Sequence, residues 1–252
     1  MTKPTERFTE TVQDYVKYRP SYPKAVLDIL VDECGLSRDK VIADIGSGTG
    51  LLAQLFLDNG NSVYGVEPNQ AMREAGEAYL QRYPHFHSIV GSAEATSLSN
   101  KSIDFITVGT AFHWFDPEKT KQEFQRIAKS NAWVLLVWNV RSTEKSALVS
   151  DYEDLIRQYG KDYSTSNAKK MDKVAMDRFF QPQAMRTASF ENTQQFDWQG
   201  FKGRLLSTSY SLRAGDLGYA AMLAELKTIF ERYQKGGMVT FLYDTKLYYS
   251  PI

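Results

Sequence analysis

Over the first 139 residues, short β-branched apolar runs alternate with stretches whose apolar positions recur every three or four residues. Residues 40–45, 62–67, 87–91, 103–108 and 132–139 therefore predict strands, and residues 49–59, 70–83 and 117–129 predict helices. In the last of these helices Phe124, Ile127 and Ala128 set the stripe, and Asp116-Pro117 supplies an N-cap and first turn. Strand, helix and strand at this rhythm predict a parallel sheet covered by helices on both faces, because parallel neighbours need a crossover connection. After Asn139 the rhythm is lost. Residues 143–159 and 217–234 read as helical, 161–170 as a polar loop, and 185–198 and 238–249 as two late antiparallel strands at one sheet edge. At the other end, Phe8, Val12, Tyr15 and Val16 form one helix face that Pro20 and Pro23 terminate, leaving an arm that must pack on something. The pattern divides the chain into an N-terminal arm (1–22), a core of alternating strands and helices (23–140) and a remainder (141–252) that completes the same sheet and carries helices of the same domain.

Composition narrows the function more than the fold. The chain has 252 residues, enough for one large domain, and 30 basic against 30 acidic side chains give a net charge of zero. A nucleic-acid binder would show a basic excess, so none is expected as a partner. The longest nearly unbroken apolar run, residues 132–140, is far short of the ~20 residues a membrane helix requires. A soluble, cytoplasmic protein, monomeric or weakly dimeric, is expected. Cys34, the one cysteine, excludes an internal disulfide and a thiolate zinc site and reads as a small core thiol. No His-x-x-x-His or clustered carboxylates with ligand spacing occur, so a metal-free site is expected.

The chemistry concentrates at Val41-Ile42-Ala43-Asp44-Ile45-Gly46-Ser47-Gly48-Thr49-Gly50, a strand running into a glycine turn and then a helix. Alternate glycines let the backbone turn tightly and let a ligand approach where a side chain would collide. A dinucleotide fingerprint would put its third glycine at position 51, where Leu51 stands, which disfavours a nicotinamide-dependent oxidoreductase. Glu67 ends the second predicted strand in register with the turn, where a carboxylate can accept both hydroxyls of a ribose.

Together with Val63-Tyr64-Gly65-Val66-Glu67-Pro68, Gly91-Ser92-Ala93-Glu94, Ile103-Asp104-Phe105-Ile106-Thr107-Val108 and Ala111-Phe112-His113-Trp114-Phe115, the turn makes residues 15–139 resemble class I S-adenosylmethionine-dependent methyltransferases. The likeness is greatest to the type 11 branch, which includes trans-aconitate methyltransferase-like proteins. The resemblance implies a Rossmann-like α/β fold: a doubly wound sheet, mostly parallel with an antiparallel edge strand, helices on both faces. It implies S-adenosylmethionine as cofactor, with Asp44, Gly46, Ser47 and Gly48 around its methionine part, Glu67 on the ribose, and Met72, Ser92, Ala93, Glu94 and Thr110 near the adenine. In the arm Tyr18-Arg19-Pro20-Ser21-Tyr22-Pro23, Arg19 would pair with the cofactor carboxylate and Tyr18 would cover the sulfonium. Where relatives carry a Pro-Gly-Gly turn before the fifth strand, this chain has Lys129-Ser130-Asn131-Ala132, in which Asn131 can take the left-handed conformation.

A sulfonium carries a positive charge that disappears on transfer, so aromatic faces are expected near it. Phe112 and Phe115 read as ordinary packing. His113 and Trp114 are the candidates for the catalytic side, His113 being the one attractive base, while His85 and His87 read as surface or strand-start residues. The expected reaction is methyl transfer to a small-molecule acceptor, a carboxylate or hydroxyl oxygen, by in-line displacement. A non-catalytic S-adenosylmethionine-binding regulatory module would share the same glycine turn and differ only on the acceptor side.

Overall fold

A computed structural model describes residues 17–161, 163 and 173–252. The predicted helix face Phe8, Val12, Tyr15 and Val16, and most of the predicted polar loop, lie outside the described residues. The seven strands are β1 (Val41–Ile45), β2 (Ser62–Val66), β3 (Phe86–Ile89), β4 (Ile103–Gly109), β5 (Ala128–Arg141), β6 (Arg186–Phe196) and β7 (Val239–Pro251). They form one sheet in the order β3-β2-β1-β4-β5-β7-β6. β1 to β5 run parallel, and β7 runs against both β5 and β6. This is the Rossmann-like, doubly wound architecture expected, with the antiparallel pairing confined to one edge.

Both faces of the central strands are buried, and the side-chain period of two assigns them. In β5, Val134 and Leu136 join one core cluster with Ala43, Ile106 and Phe124, while Leu135 and Val137 join the other with Ile42, Phe105 and Phe56. The helices covering these faces are α1 (Ala25–Cys34), α2 (Leu51–Asn59), α3 (Gln70–Leu80) and α4 (Pro117–Ile127). Asn69 caps α3 by accepting from Met72 N at 2.9 Å, and Asp116 caps α4 as its sequence predicts. Asn131 does take φ of +66°, but inside β5, where the pairing with β4 shifts register, so the left-handed residue makes a bulge rather than a turn. Cys34 is only partly buried.

The remaining helices, α5 (Ala147–Tyr159), α6 (Lys173–Phe180), α7 (Trp198–Leu206) and α8 (Tyr219–Tyr233), include two, α6 and α7, that like α1 the apolar pattern does not predict. Strand register explains where they sit. β4 stops at Gly109 opposite Val137, but β5 continues to Arg141 opposite Tyr243, and β7 begins still further out at Val239 opposite Phe196. This overhang at the carboxyl edge carries Phe241 and Tyr243 into a third core cluster with α5, α7 and α8. A helical cap is thereby fixed beside the end of β1, at the point where the strand order reverses between β1 and β4. Ligands of open α/β sheets bind in that crevice. Among the described residues, no helix is long and apolar enough to cross a membrane.

Candidate functional site

The chain leaves β1 through Gly46 and Gly48, both in the left-handed region with φ of +66° and +55°. At Gly46 a side chain is excluded twice, since a Cβ would also stand 2.8 Å from the Cβ of Ala111. The amides of Gly46 and Ser47 both donate to the carbonyl of Val66. Glu67 then braces the turn from the next strand: Oε2 accepts from Gly48 N at 2.9 Å and Oε1 from Asn69 N at 2.8 Å. Burial pushes the Glu67 carboxyl above its ordinary range, and these two amides pull it back. Each oxygen retains capacity to accept a further hydrogen bond. Asp44, one residue before the end of β1, is almost completely buried. Its Oδ1 accepts from Thr107 Oγ1 at 3.0 Å, while Oδ2 has no hydrogen-bond partner among the described residues. Burial pushes its pKa up to about 7.

Two adjoining cavities share Gly46, Gly48, Gly109 and Thr110 as their common wall. The larger, about 260 Å³, is lined by Glu67, Pro68, Asn69, Met72, Ser92, Ala93, Glu94, Trp114 and Phe115. Glu94 ties this wall together by accepting from Asp116 N at 2.9 Å, which joins the Ser92–Ala95 loop to the cap of α4. The smaller cavity, about 70 Å³, lies on the cap side and is lined by Arg19, Pro20, Tyr22, Asp44, Ser47, Thr49, Leu51, Leu52, Asn139 and Arg204. Thr110, on the shared wall, holds φ of +59°, a strained conformation for a β-branched residue of the kind found where a site dictates the backbone.

Most residues singled out from the sequence converge here. Asp44, Gly46, Ser47, Gly48, Glu67, Met72, Ser92, Ala93, Glu94 and Thr110 line one cavity or both. Arg19 lines the smaller cavity and donates from Nη2 to the carbonyl of Ser207 at 3.1 Å. Tyr18 does not line either: its ring packs on α7, 2.1 Å from where a Cβ on Gly203 would stand. Trp114, at the end of the short turn Phe112–Trp114, lines the larger cavity. His113 is half-buried beside it, ring centroids 4.6 Å apart, outside the walls of these two cavities. Phe112 is core, in edge contact with Phe115 and Phe179, whereas Phe115 both packs and lines. His85 and His87 are exposed, His87 within β3 and stacked on Tyr64.

Sequence reasoning missed Tyr22, Thr49, Asn69, Asn139 and Arg204 as lining residues. Asn139 had a signal, its place at the carboxyl end of a predicted strand. Arg204 had none, because its helix has no apolar period. Among the described residues no group of three or more His, Cys, Asp and Glu is placed to hold a metal ion.

Residues 43–136 match the family model of the Methyltransferase domain. The chain is 30% identical over 135 residues to an uncharacterized methyltransferase of Schizosaccharomyces pombe, covering 53% of each. It is 31% identical over 153 residues to one of Mycobacterium bovis, covering 61% of this chain and 60% of that one. The chain thus spans about half to three-fifths of the length of these curated relatives. A solved structure described as a type II methyltransferase from Anaeromyxobacter dehalogenans superposes with a TM-score of 0.65 at 20% identity, covering 93% of this chain and 97% of that one. The cradle, the braced acid on the neighbouring strand and the family match fall together: residues 43–136, which match the methyltransferase domain model, are the segment that carries the glycine turn and Glu67, and the whole fold is that of the solved methyltransferase.

Proposed function

We propose that this chain moves the methyl group of S-adenosylmethionine to a small-molecule acceptor, a carboxylate or hydroxyl oxygen, by in-line displacement. The observation that carries the reading is the pair of cavities joined across a glycine wall, one sized for an adenosine and the other holding charged groups suited to an amino-acid end. The residues present fit the cofactor. Glu67 keeps both oxygens available to two ribose hydroxyls, Met72 and Phe115 give apolar walls to a base, and the unpartnered Asp44 Oδ2 suits an ammonium. Ser92, Ala93 and Glu94 close the adenine side. Arg19 takes the carboxylate, with Ser47 and Gly48 lining the same cavity. Tyr18, seated on α7, holds the arm in place rather than covering the sulfonium itself. The arm Tyr18-Arg19-Pro20 and the segment Ala111–Phe115 support placing the chain in the type 11 branch that includes trans-aconitate methyltransferase-like proteins.

Bound S-adenosylmethionine supplies an electrophilic sulfonium methyl, which an acceptor lone pair takes as the carbon–sulfur bond breaks and its electron pair stays on sulfur. The chain's part is alignment and exclusion of water, which can contribute roughly 7–11 kcal/mol. Trp114, lining the larger cavity, would offer an aromatic ring to that charge. A carboxylate acceptor is already an anion at neutral pH and needs no base. For a hydroxyl acceptor, His113 beside Trp114 is the group that takes the proton. The test is direct. Calorimetric titration should show S-adenosylhomocysteine binding and no NAD binding, and a screen of small acids and alcohols should release S-adenosylhomocysteine from S-adenosylmethionine. Tight NAD binding without S-adenosylhomocysteine binding would end this reading.

A further inference from the structure

The sheet face that the arm crosses is apolar except in one band. Along β6 the period of two puts Ala188, Phe190, Asn192, Gln194 and Phe196 on that face. Ala188 and Phe190 pack with the core cluster under α1 and α2, and Phe196 with that of the cap. β7 repeats the order, with Tyr249 and Leu247 in the first cluster, then Thr245, then Tyr243 and Phe241 in the second. In β5, Leu135 and Val137 of the first cluster are followed by Asn139, in register with Thr245. A band of three amides and a hydroxyl therefore separates two apolar cores. Apolar side chains there would fuse the cores, and shielding an amide from water costs free energy unless it is hydrogen-bonded.

The hydrogen bonds show what the band holds. Thr245 Oγ1 donates to Asn139 Oδ1 at 2.5 Å, and Tyr243 Oη donates to Gln194 Oε1 at 3.0 Å, so these two amides have their oxygens committed to the sheet. The amino groups go to backbone carbonyls of the arm. Gln194 Nε2 donates to the carbonyl of Arg19 at 3.2 Å, Asn139 Nδ2 to that of Ser21 at 3.2 Å, and Asn192 Nδ2 to the same Ser21 carbonyl at 2.7 Å. Residues 20–23 belong to no helix or strand, so side-chain amides do here what a neighbouring strand's N–H groups would do. Arg19 is thereby held at both ends, its carbonyl by Gln194 and its Nη2 by the carbonyl of Ser207, and it lines the smaller cavity beside Pro20 and Tyr22. Asn192 and Gln194 line neither cavity and reach the site through the arm alone. We infer that Asn192 and Gln194 are positioning residues for the amino-acid end of the cofactor: they fix the path of the arm so that Arg19 meets the carboxylate. The inference rests on the methyltransferase reading and extends its machinery to β6, outside the residues 43–136 that match the family model.

The experiment measures two ligands by calorimetry on the full chain. S-adenosylhomocysteine carries the amino-acid end, whereas methylthioadenosine keeps the adenosine and the sulfur but lacks that end. Gln194→Met and Asn192→Asp, each of which removes a donor to the arm at nearly constant size, should weaken S-adenosylhomocysteine by at least about fivefold, the worth of one hydrogen bond between uncharged groups. Methylthioadenosine should bind both variants as it binds wild type. In an Arg19→Met background, Gln194→Met should cost nothing further, because the group it positions is gone. Three results overturn the inference: unchanged S-adenosylhomocysteine affinity in both variants, equal weakening of the two ligands, which marks a merely structural role, or a loss that adds in full to that of Arg19→Met. Trypsin supplies a readout that needs no ligand, since cleavage after Lys17 or Lys24 should be faster in Gln194→Met and Asn192→Asp than in wild type, and equal rates would show that the amides do not seat the arm. Failure of wild type to bind S-adenosylhomocysteine at all would strike the methyltransferase reading itself, while the trypsin rates would still report whether the amides hold the arm.

Discussion

Replacing Glu67 by Gln separates two tasks that one carboxylate performs. Its oxygens accept from Gly48 N and Asn69 N at 2.9 and 2.8 Å, so it braces the glycine turn before any ligand arrives. Glutamine offers one oxygen and one NH₂, and whichever way the amide lies, one buried N–H faces another donor. Losing a hydrogen bond to a charged acceptor costs about 1.5–3 kcal/mol. For a chain of this size that corresponds to a fall in melting temperature of roughly 3–12 °C. On the ligand side, removal of one acceptor from the ribose pair should weaken S-adenosylhomocysteine by at least about tenfold, or 1.4 kcal/mol. The two effects are separated by titrating wild type and Glu67→Gln with S-adenosylhomocysteine and with its 2′-deoxy analogue. If Glu67 holds the ribose, wild type discriminates between the two ligands and the variant discriminates less, which is the signature of a coupled pair. Strictly additive losses would show that Glu67 only braces the turn and would refute the ribose role.

Asp44 titrates near 7 because it is buried, so its charge is present above that value and lost below it. Binding of S-adenosylhomocysteine through its ammonium should therefore weaken as pH falls from 8 to 6, approaching tenfold per unit below 7, and calorimetry on Asp44→Asn should show a flat profile. The same raised pKa acts on folding with the opposite slope. The unfolded chain ionises Asp44 near 3.8 and the folded chain only near 7, so its effect on stability declines as pH rises between those values, and denaturant melts of Asp44→Asn should lack that decline. Gly203→Ala would drive a Cβ into the Tyr18 ring, unseating the arm that carries Arg19 and Tyr22; weaker S-adenosylhomocysteine binding is expected, and Tyr18→Ala alone should weaken it likewise. Retained affinity in Gly203→Ala would mean that the arm does not depend on this seat. His113→Ala should lower kcat for a hydroxyl acceptor more than it changes cofactor affinity, and an equal loss in both would reassign His113 to cofactor binding.

The parallel half of the fold is legible because its signals are local. β1 and β4 are buried on both faces and read as mostly apolar runs, broken only by Asp44 in the one and Asp104 and Thr107 in the other, Asp116-Pro117 announces α4, and the glycine turn is contiguous in sequence. Three helices escape the pattern, each for its own reason: α1 buries only Val26 and Leu30, too few to set a stripe. α6 is short, with Met176, Phe179 and Phe180 buried on a single side. α7 breaks helical rules outright, carrying Gly200 and Gly203 at a cost near 1 kcal/mol each relative to alanine. Gly203 is there because Tyr18 lies against it, and a Cβ on Gly200 would stand 3.0 Å from the Phe196 ring. One residue beyond Gly203 comes Arg204, a charge that any pattern reading assigns to solvent and that the overhang of β7 buries under Phe241 and Tyr243. Poor helix formers and an unpaired buried cation on the same turn are the local inconsistencies that a chain retains where function demands them. They stand where the arm, the cap and the glycine cradle meet, around the smaller cavity.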